Sequence, residues 1–411
     1  MNYTDICIIG AGPAGLFAAI HAANPSKKIT VLEKNTIAGK KLLISGLSQC
    51  NITNAKPITG FPVHYGGKDR FVRPALLNFT NTDLLTFFRD RGCEFDELEN
   101  GKVFPASRKA KDIRDILIAE CTKKNIDIVY GQPVNNISHT GNNFIISGDG
   151  FAYTAIVCVI AAGGRSYPAT GSTGDGYSWA QYLGHEIIPP RPALTSLVIE
   201  NSPIKDLTGI SFENVTFSVW RNNKKIHSCT GDFLITHVGV SGIVVIDNSR
   251  YIQAGDILRI AFASGQTAEE LNTMLIEQSS SAGIRHVKAV CSQLVPKRLL
   301  ERILELSEIP QTTTLSNLTK KMRSQLINFL TAFPLEVHAV TGFQEAMVTA
   351  GGVACSEINP KTMESRIINN LYFAGEVIDI DGDSGGYNLQ AAFSTGYLAG
   401  NSIKLRLNSS H

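Results

Sequence analysis

Residues 5–15 read DICIIGAGPAG. Ile6, Cys7, Ile8 and Ile9 make an unbroken apolar run, the pattern of a strand buried on both faces. Gly10-Ala11-Gly12-Pro13-Ala14-Gly15 follows and fits G-x-G-x-x-G; the apolar stretch to residue 23 then reads as a helix with proline in its first turn. Residues 29–33 read as a second buried strand, and its last residue, Glu33, lies 18 positions after Gly15. This spacing predicts a βαβ unit that binds a dinucleotide. Gly10 makes the tight turn, Gly12 lets a pyrophosphate approach the backbone, and Gly15 lets helix and strand pack closely. The helix N-terminus offers N–H groups and a partial positive charge to phosphate. Glu33 suits the ribose hydroxyls, and its charge disfavours a 2′-phosphate, so NAD or FAD is expected over NADP.

Four further stretches extend this site. Lys34 follows the ribose acid, and Gly39-Lys40-Lys41 with Ser45-Gly46 comes soon after; a basic residue there suits a second pyrophosphate contact. Ala162-Gly163-Gly164 closes the apolar run 155–160, and small residues permit close backbone approach to a cofactor. Gly171-Ser172-Thr173-Gly174-Asp175-Gly176 reads as a glycine-rich helix start, where Asp175 serves as a cap, a cofactor neighbour or both. Near the C-terminus, residues 371–377 (LYFAGEV) are followed by Asp379, Asp381 and Gly385-Gly386-Tyr387-Asn388-Leu389-Gln390. That block reads as a buried strand, Gly375 and the acid Glu376, a glycine turn and a helix start. In a flavin fold such an acid holds ribityl hydroxyls, and the helix start at Asn388 and Leu389 faces the pyrimidine end of the ring. A first-strand glycine motif with a last-strand acid favours FAD over NAD alone.

Between these ends the fold class reads as α/β. Helices are predicted over 83–92, with Asp83 as cap, and 109–124; strands are predicted over 126–130, 143–147 and 152–160. Pro189-Pro190-Arg191-Pro192 reads as a stiff extended connector. Residues 194–264 then alternate in short β-like runs, and 267–333 turn helical, with Leu271, Met274 and Leu275, then Leu299, Leu300, Ile303 and Leu304 at helical spacing. A Rossmann domain over 1–193 and 346–411, interrupted by an insert over 194–345, is the expected organisation.

Composition narrows the class. The 411 residues are 43% hydrophobic and carry a net charge of +2, so no strong field for nucleic acid or acidic lipid is implied. The insert holds 14 basic and 14 acidic residues. Eight cysteines show no C-x-x-C and no histidine cluster, so neither a disulfide framework nor a metal site is expected, and a cytoplasmic location is. The apolar start is split by Gly10, Gly12, Pro13 and Gly15 and lacks a basic lead, so it reads as neither signal peptide nor membrane span.

With these residues in view, the chain resembles the aminoacetone oxidase-like, BaiN/RdsA-type family of FAD-dependent oxidoreductases. The resemblance spans nearly the whole chain. It rests on 39–54 (GKKLLISGLSQCNITN), on 163–193 (beginning GGRSYPATGSTGDGYSW), on 236–242 (THVGVSG) and on 349–386 (TAGGVACSEINPKTMESRIINNLYFAGEVIDIDGDSGG). It implies an FAD domain of the glutathione-reductase type, interrupted by an insert with a β-barrel part (194–266 and 334–345) and a helical part (267–333). It also implies FAD contacts at Gly10 to Gly15, Glu33, Lys41, Ala162 to Gly164, Glu376, Asn388 and Leu389, and places Val134 where backbone meets adenine. The family pattern has a glycine triplet and Arg-Cys-Asn where this chain has Gly46-Leu47-Ser48-Gln49-Cys50-Asn51. A loop so changed beside a flavin implies a different substrate.

The resemblance carries two activities: reduction of an activated C=C bond, in a small molecule or in uridine of RNA, with NADH or NADPH as transient donor; and amine oxidation with oxygen as acceptor. Hydride would pass through flavin N5 while a side chain handles a proton. Cys50, His237 and Tyr387 are the proton candidates, although Cys50 reads equally as a buried thiol and His237 as a turn residue. A third reading, an RNA-binding protein with structural FAD, draws on Lys224-Lys225, Lys297-Arg298 and Lys320-Lys321-Arg323; the insert's charge balance opposes it.

Overall fold

The computed structural model describes residues 1–409. Two compact units divide the chain: Met1–Ala193 with the segment from Phe343 onward, and Leu194–Gly342. The return therefore falls at Phe343 rather than at residue 346.

The first unit is built on a seven-stranded mixed sheet. Asn2–Ile9 lies inside it, parallel to Ile29–Glu33 on one side and to Phe151–Ile160 on the other. Asp127–Tyr130 adds outside Ile29–Glu33, and Leu371–Phe373 adds beside Phe151–Ile160, both parallel. Parallel neighbours need a crossover, and the helix Pro13–Ala22 supplies the first. Ile9 stands opposite Leu32 and Ile160, and Phe373 opposite Ile160. The four strands thus end together, and the segments after Ile9, Glu33, Ile160 and Phe373 meet at one edge. Ligands of open α/β sheets bind outside that carboxyl edge. The hairpin Val134–Thr140 and Asn143–Gly148 joins the first half of Phe151–Ile160 antiparallel.

The first helix is buried almost all round, from Ala14 to Ala22. The C-terminal helix Tyr387–Ser409 packs against it. Small residues set this approach: a Cβ on Gly396 would stand 2.5 Å from the Ala14 carbonyl oxygen. His21, in the last turn, sits among Phe17, Phe87 and Tyr397, and its Nε2 has no partner among the described residues. Burial, with the Lys124 and Arg91 charges, lowers its pKa to about 4. A depressed folded value means the unfolded chain binds the proton first. Stability is full above about pH 6.5 and falls as pH drops towards 4, by roughly 3 kcal/mol. His21→Phe should flatten that part of the stability profile, read by urea unfolding between pH 4 and 7.

Two expectations need correcting. The helix expected over 83–92 is Asn81–Arg89, and Thr80, not Asp83, is its N-cap; Asp83 returns the bond to the Thr80 N–H in a capping box. The proline-rich connector is a strand, Ile187–Ala193, pairing antiparallel with Val348–Val353. Its register breaks between Ile188 and Arg191, where Pro189 and Pro190 offer no N–H.

In the second unit seven antiparallel strands form one sheet. Phe333–Glu336 pairs with Ile257–Ala261, and Ala339–Val340, just after it, pairs with Leu197–Val198 at the other end of the strand order. These two consecutive strands thus sit at the two ends of the strand order. Helices Ala268–Ala282, Lys297–Leu306 and Lys320–Thr331 bury the leucine stripes read from the sequence, Leu271 and Leu275, then Leu299, Leu300, Ile303 and Leu304. Among the described residues no helix is long and apolar enough to cross a membrane, and no His/Cys/Asp/Glu group is placed to hold a metal.

Candidate functional site

At the sheet's carboxyl edge the three glycines behave differently. Gly10 has φ +105°, and a Cβ there would stand 2.5 Å from the Ala161 carbonyl oxygen. A Cβ on Gly15 would overlap the Gly10 carbonyl oxygen. Gly12 faces open space, with nothing within 4 Å of such a Cβ. Pro13 opens the helix, whose first turn carries no acid and no side-chain cap. Backbone packing therefore requires two of the glycines, while the third clears room before an uncapped helix N-terminus, as a pyrophosphate demands.

Glu33 is buried at the strand end. Its Oε2 accepts from the Ala11 N–H (2.9 Å), and its Oε1 accepts from the Asn35 N–H (2.8 Å) and Nδ2 (2.7 Å). The acid thus braces the glycine turn. The Gln132 N–H donates to the Glu33 carbonyl (3.0 Å), which brings the strand starting at Val134 alongside. Lys34 and Asp175 pair with each other at 2.6 Å, and Thr173 joins them.

A second cluster lies beyond the turn. The Lys41 ammonium meets Glu376 Oε2 (2.7 Å) and Ser166 Oγ (3.0 Å), while Glu376 Oε1 accepts from the Thr349 N–H (2.9 Å) and Ser166 Oγ (3.1 Å). Ala162, Gly163 and Gly164 run past this cluster; a Cβ on Gly164 would come within 3.0 Å of the Glu376 carboxyl carbon. Gly375 abuts the first helix, where its Cβ would stand 2.8 Å from that of Ala14. The loop of Ser45 and Gly46 turns tightly: Ser45 Oγ donates to the Leu42 carbonyl (2.7 Å), and a Cβ on Gly46 would stand 2.9 Å from the Asn51 nitrogen.

The proton candidates fall in different places. Cys50 is fully buried, and burial pushes its thiol up to about 12. It stays protonated at neutral pH and packs in the core, so thiolate chemistry is not available to it. His237 is exposed in the turn between Lys224–Ile235 and Gly239–Ser241 of the inserted unit. Tyr387 is buried at the start of the C-terminal helix. Asn388 locks the preceding turn by accepting from the Gly382 N–H (2.8 Å) and donating to the Gly382 carbonyl (2.8 Å), and Leu389 packs against the core.

The sequence reading missed segment 61–68. Phe61 meets the edge of Tyr387, and the His64 ring stacks on it at 4.0 Å. Tyr65 donates to the Tyr387 carbonyl (2.8 Å), and Lys68 forms an ion pair with Asp379. Burial disfavours charge on Lys68, but Asp379 outweighs it and holds the ammonium above its usual value. The i, i+3, i+4, i+7 spacing was visible, but Pro62, Gly66 and Gly67 disguised it.

Leu47 in the altered loop has φ +56° and is 90% exposed. An L-residue held there costs roughly 1–2 kcal/mol, and no burial offsets it. Leu47→Gly should raise unfolding free energy by about 0.5–1 kcal/mol, measured by urea denaturation.

Known proteins place this geometry. Residues 4–402 match the family described as HI0933-like protein Rossmann domain. The chain is 32% identical over 403 residues to a 3-dehydro-bile acid delta(4,6)-reductase of Clostridium scindens, covering 96% of this chain and 98% of the reductase. It is also 32% identical over 407 residues to a ribosomal RNA dihydrouridine synthase of Haemophilus influenzae, covering 98% of this chain and 99% of the synthase. A solved structure of 3-ketosteroid delta1-dehydrogenase from Sterolibacterium denitrificans shares the fold, with a TM-score of 0.52, 11% identity, and coverage of 99% of this chain and 100% of that one. The glycine turn with its cleared helix N-terminus, the braced acid and the last-strand glutamate fit FAD, and the chain belongs to the HI0933-like family of FAD-dependent oxidoreductases.

Proposed function

We propose that the protein reduces a C=C bond conjugated to a carbonyl, with NADH or NADPH as donor. The observation that carries this is near full-length similarity to two relatives whose names share that chemistry: a delta(4,6)-reductase and a dihydrouridine synthase. A ring enone and the uracil ring both present an alkene beside a carbonyl.

Bound FAD would supply the two-electron carrier between donor and acceptor. The chain's own residues bind and orient. Gly12 and the first helix N-terminus receive the pyrophosphate, Glu33 the adenosine ribose, and Glu376 with Lys41 the ribityl side. Asn388 and Leu389, at the start of the C-terminal helix, would direct N–H groups and the positive end of the helix dipole at the ring. The eight free thiols fit a reducing compartment such as the cytoplasm.

The test is anaerobic mixing of the yellow protein with NADH and NADPH, followed by an enone or a uridine-containing RNA. Bleaching by a nucleotide and recovery of colour with an acceptor is the expected result; the acceptor that works separates small molecule from RNA. Failure of both nucleotides to bleach it would sink the reading and leave amines with oxygen as the next screen.

A further inference from the structure

Reducing a conjugated alkene needs a proton as well as a hydride. Breaking the π bond and forming a C–H bond at the β-carbon with hydride leaves an enolate, which must take a proton at the α-carbon. The nicotinamide is oxidised and the alkene reduced; the proton comes from an acid on the protein, which regains it from solvent. Of the groups first considered for this, Cys50 is sealed in the core.

The structure holds a different group. His64 Nδ1 and Asp383 Oδ2 are 2.8 Å apart, and the Asp383 N–H donates to the His64 carbonyl (2.9 Å). These two bonds, made in opposite directions, fix the imidazole against the glycine turn. The ring lies nearly parallel to Tyr387, at 18°. With Nδ1–H donating to the carboxylate, Nε2 is the nitrogen left to exchange a proton, and no partner for it is present among the described residues. The His64 side chain is 26% exposed, so solvent can recharge it. The element is rigid: Phe61, Tyr65 and Lys68, on the same segment, grip Tyr387 and Asp379. A histidine oriented by a carboxylate, packed on the residue that opens the ring-facing helix, has the parts of a general acid.

We propose that His64, oriented by Asp383, is the acid that protonates the substrate's α-carbon. The proposal rests on the conjugated-alkene reading above. Around the ring, Asp383 and Tyr387 touch it, Asp379 and Asp381 carry the other charges of that turn, and Lys68 is the cation on the segment of His64 itself. Asp383 fixes the tautomer, so Asp383 is a positioning residue and His64 the donor.

His64→Gln and Asp383→Asn, studied as FAD-loaded protein, separate the two half-reactions. Bleaching by NADH or NADPH needs no protein acid and should stay near the wild-type rate. Recovery of colour with the acceptor should slow about 100-fold in His64→Gln. A wild-type recovery rate in His64→Gln would overturn the assignment of His64 alone. A wild-type protein that no conjugated alkene reoxidises would overturn the reductase reading and this proposal with it. A readout independent of turnover is the histidine-ring nitrogen NMR spectrum of the cofactor-free protein. It should show a ring protonated at Nδ1, and Asp383→Asn should abolish that preference. A ring protonated at Nε2 instead would also overturn it.

Discussion

Gly12→Ala should give a folded protein that no longer retains FAD, while Gly15→Ala should lose the fold around the site as well. Gly12 has φ −80°, which alanine adopts freely, and a Cβ there meets nothing within 4 Å. As the N-cap of the first helix it carries a small alanine penalty, under about 1 kcal/mol. The methyl group would fill the space a pyrophosphate requires. A rise in the FAD dissociation constant of at least about 100-fold, or ~2.8 kcal/mol, is expected. Gly15 is different because its added methyl would overlap a backbone carbonyl, not the tip of a flexible side chain. Helix and strand must separate, at a cost of roughly 1–3 kcal/mol or more. Titration of the cofactor-free variants with FAD, alongside urea unfolding, reads both quantities. Equal FAD affinity in wild type and Gly12→Ala would remove the pyrophosphate from this turn.

Gly386→Ala should be the most disruptive single methyl in the C-terminal half. Gly386 has φ +101°, and its Cβ would stand 2.7 Å from the Thr53 Cα and closer still to the Thr53 carbonyl. Backbone strain of about 1–3 kcal/mol adds to overpacking of similar size. The turn between Asp379 and Tyr387 would have to move, carrying Asn388 away from Gly382 and Tyr387 from Tyr65. A fall in unfolding free energy of roughly 2–6 kcal/mol is expected, with FAD loss in parallel. A fall below about 1 kcal/mol would show that the turn yields easily and that the clamp from 61–68 does little to hold it.

What could be read from the sequence was what local chemistry decides. The run DICIIGAGPAG specifies a buried strand, a tight turn and a proline-led helix within eleven residues, and Glu33 ends the next strand at the spacing the turn demands. The leucine stripe of 299–304 settled its helix in the same way. What stayed hidden depends on partners far away in the chain. His64 and Asp383 are 319 positions apart, and Lys34 and Asp175 are 141 apart. Nothing near Lys34 says that an aspartate will take its charge. Pro189 and Pro190 argued for a connector because the strand that receives them, Val348–Val353, lies far along the chain. Cys50 read both as a proton donor and as a buried thiol, because the core that closes over it is not visible in its own loop; it is fully buried, and burial raises it to about 12.

On the proposed function, one FAD per chain binds at the carboxyl edge of the first sheet and serves a two-electron reduction. Titration of the cofactor-free wild-type protein with FAD, followed by anaerobic addition of NADH or NADPH, tests it most directly. A yellow protein with one FAD per chain, bleached by a nicotinamide donor, is the expected result. A protein that takes up no FAD, or holds it unreduced by either donor, would contradict it.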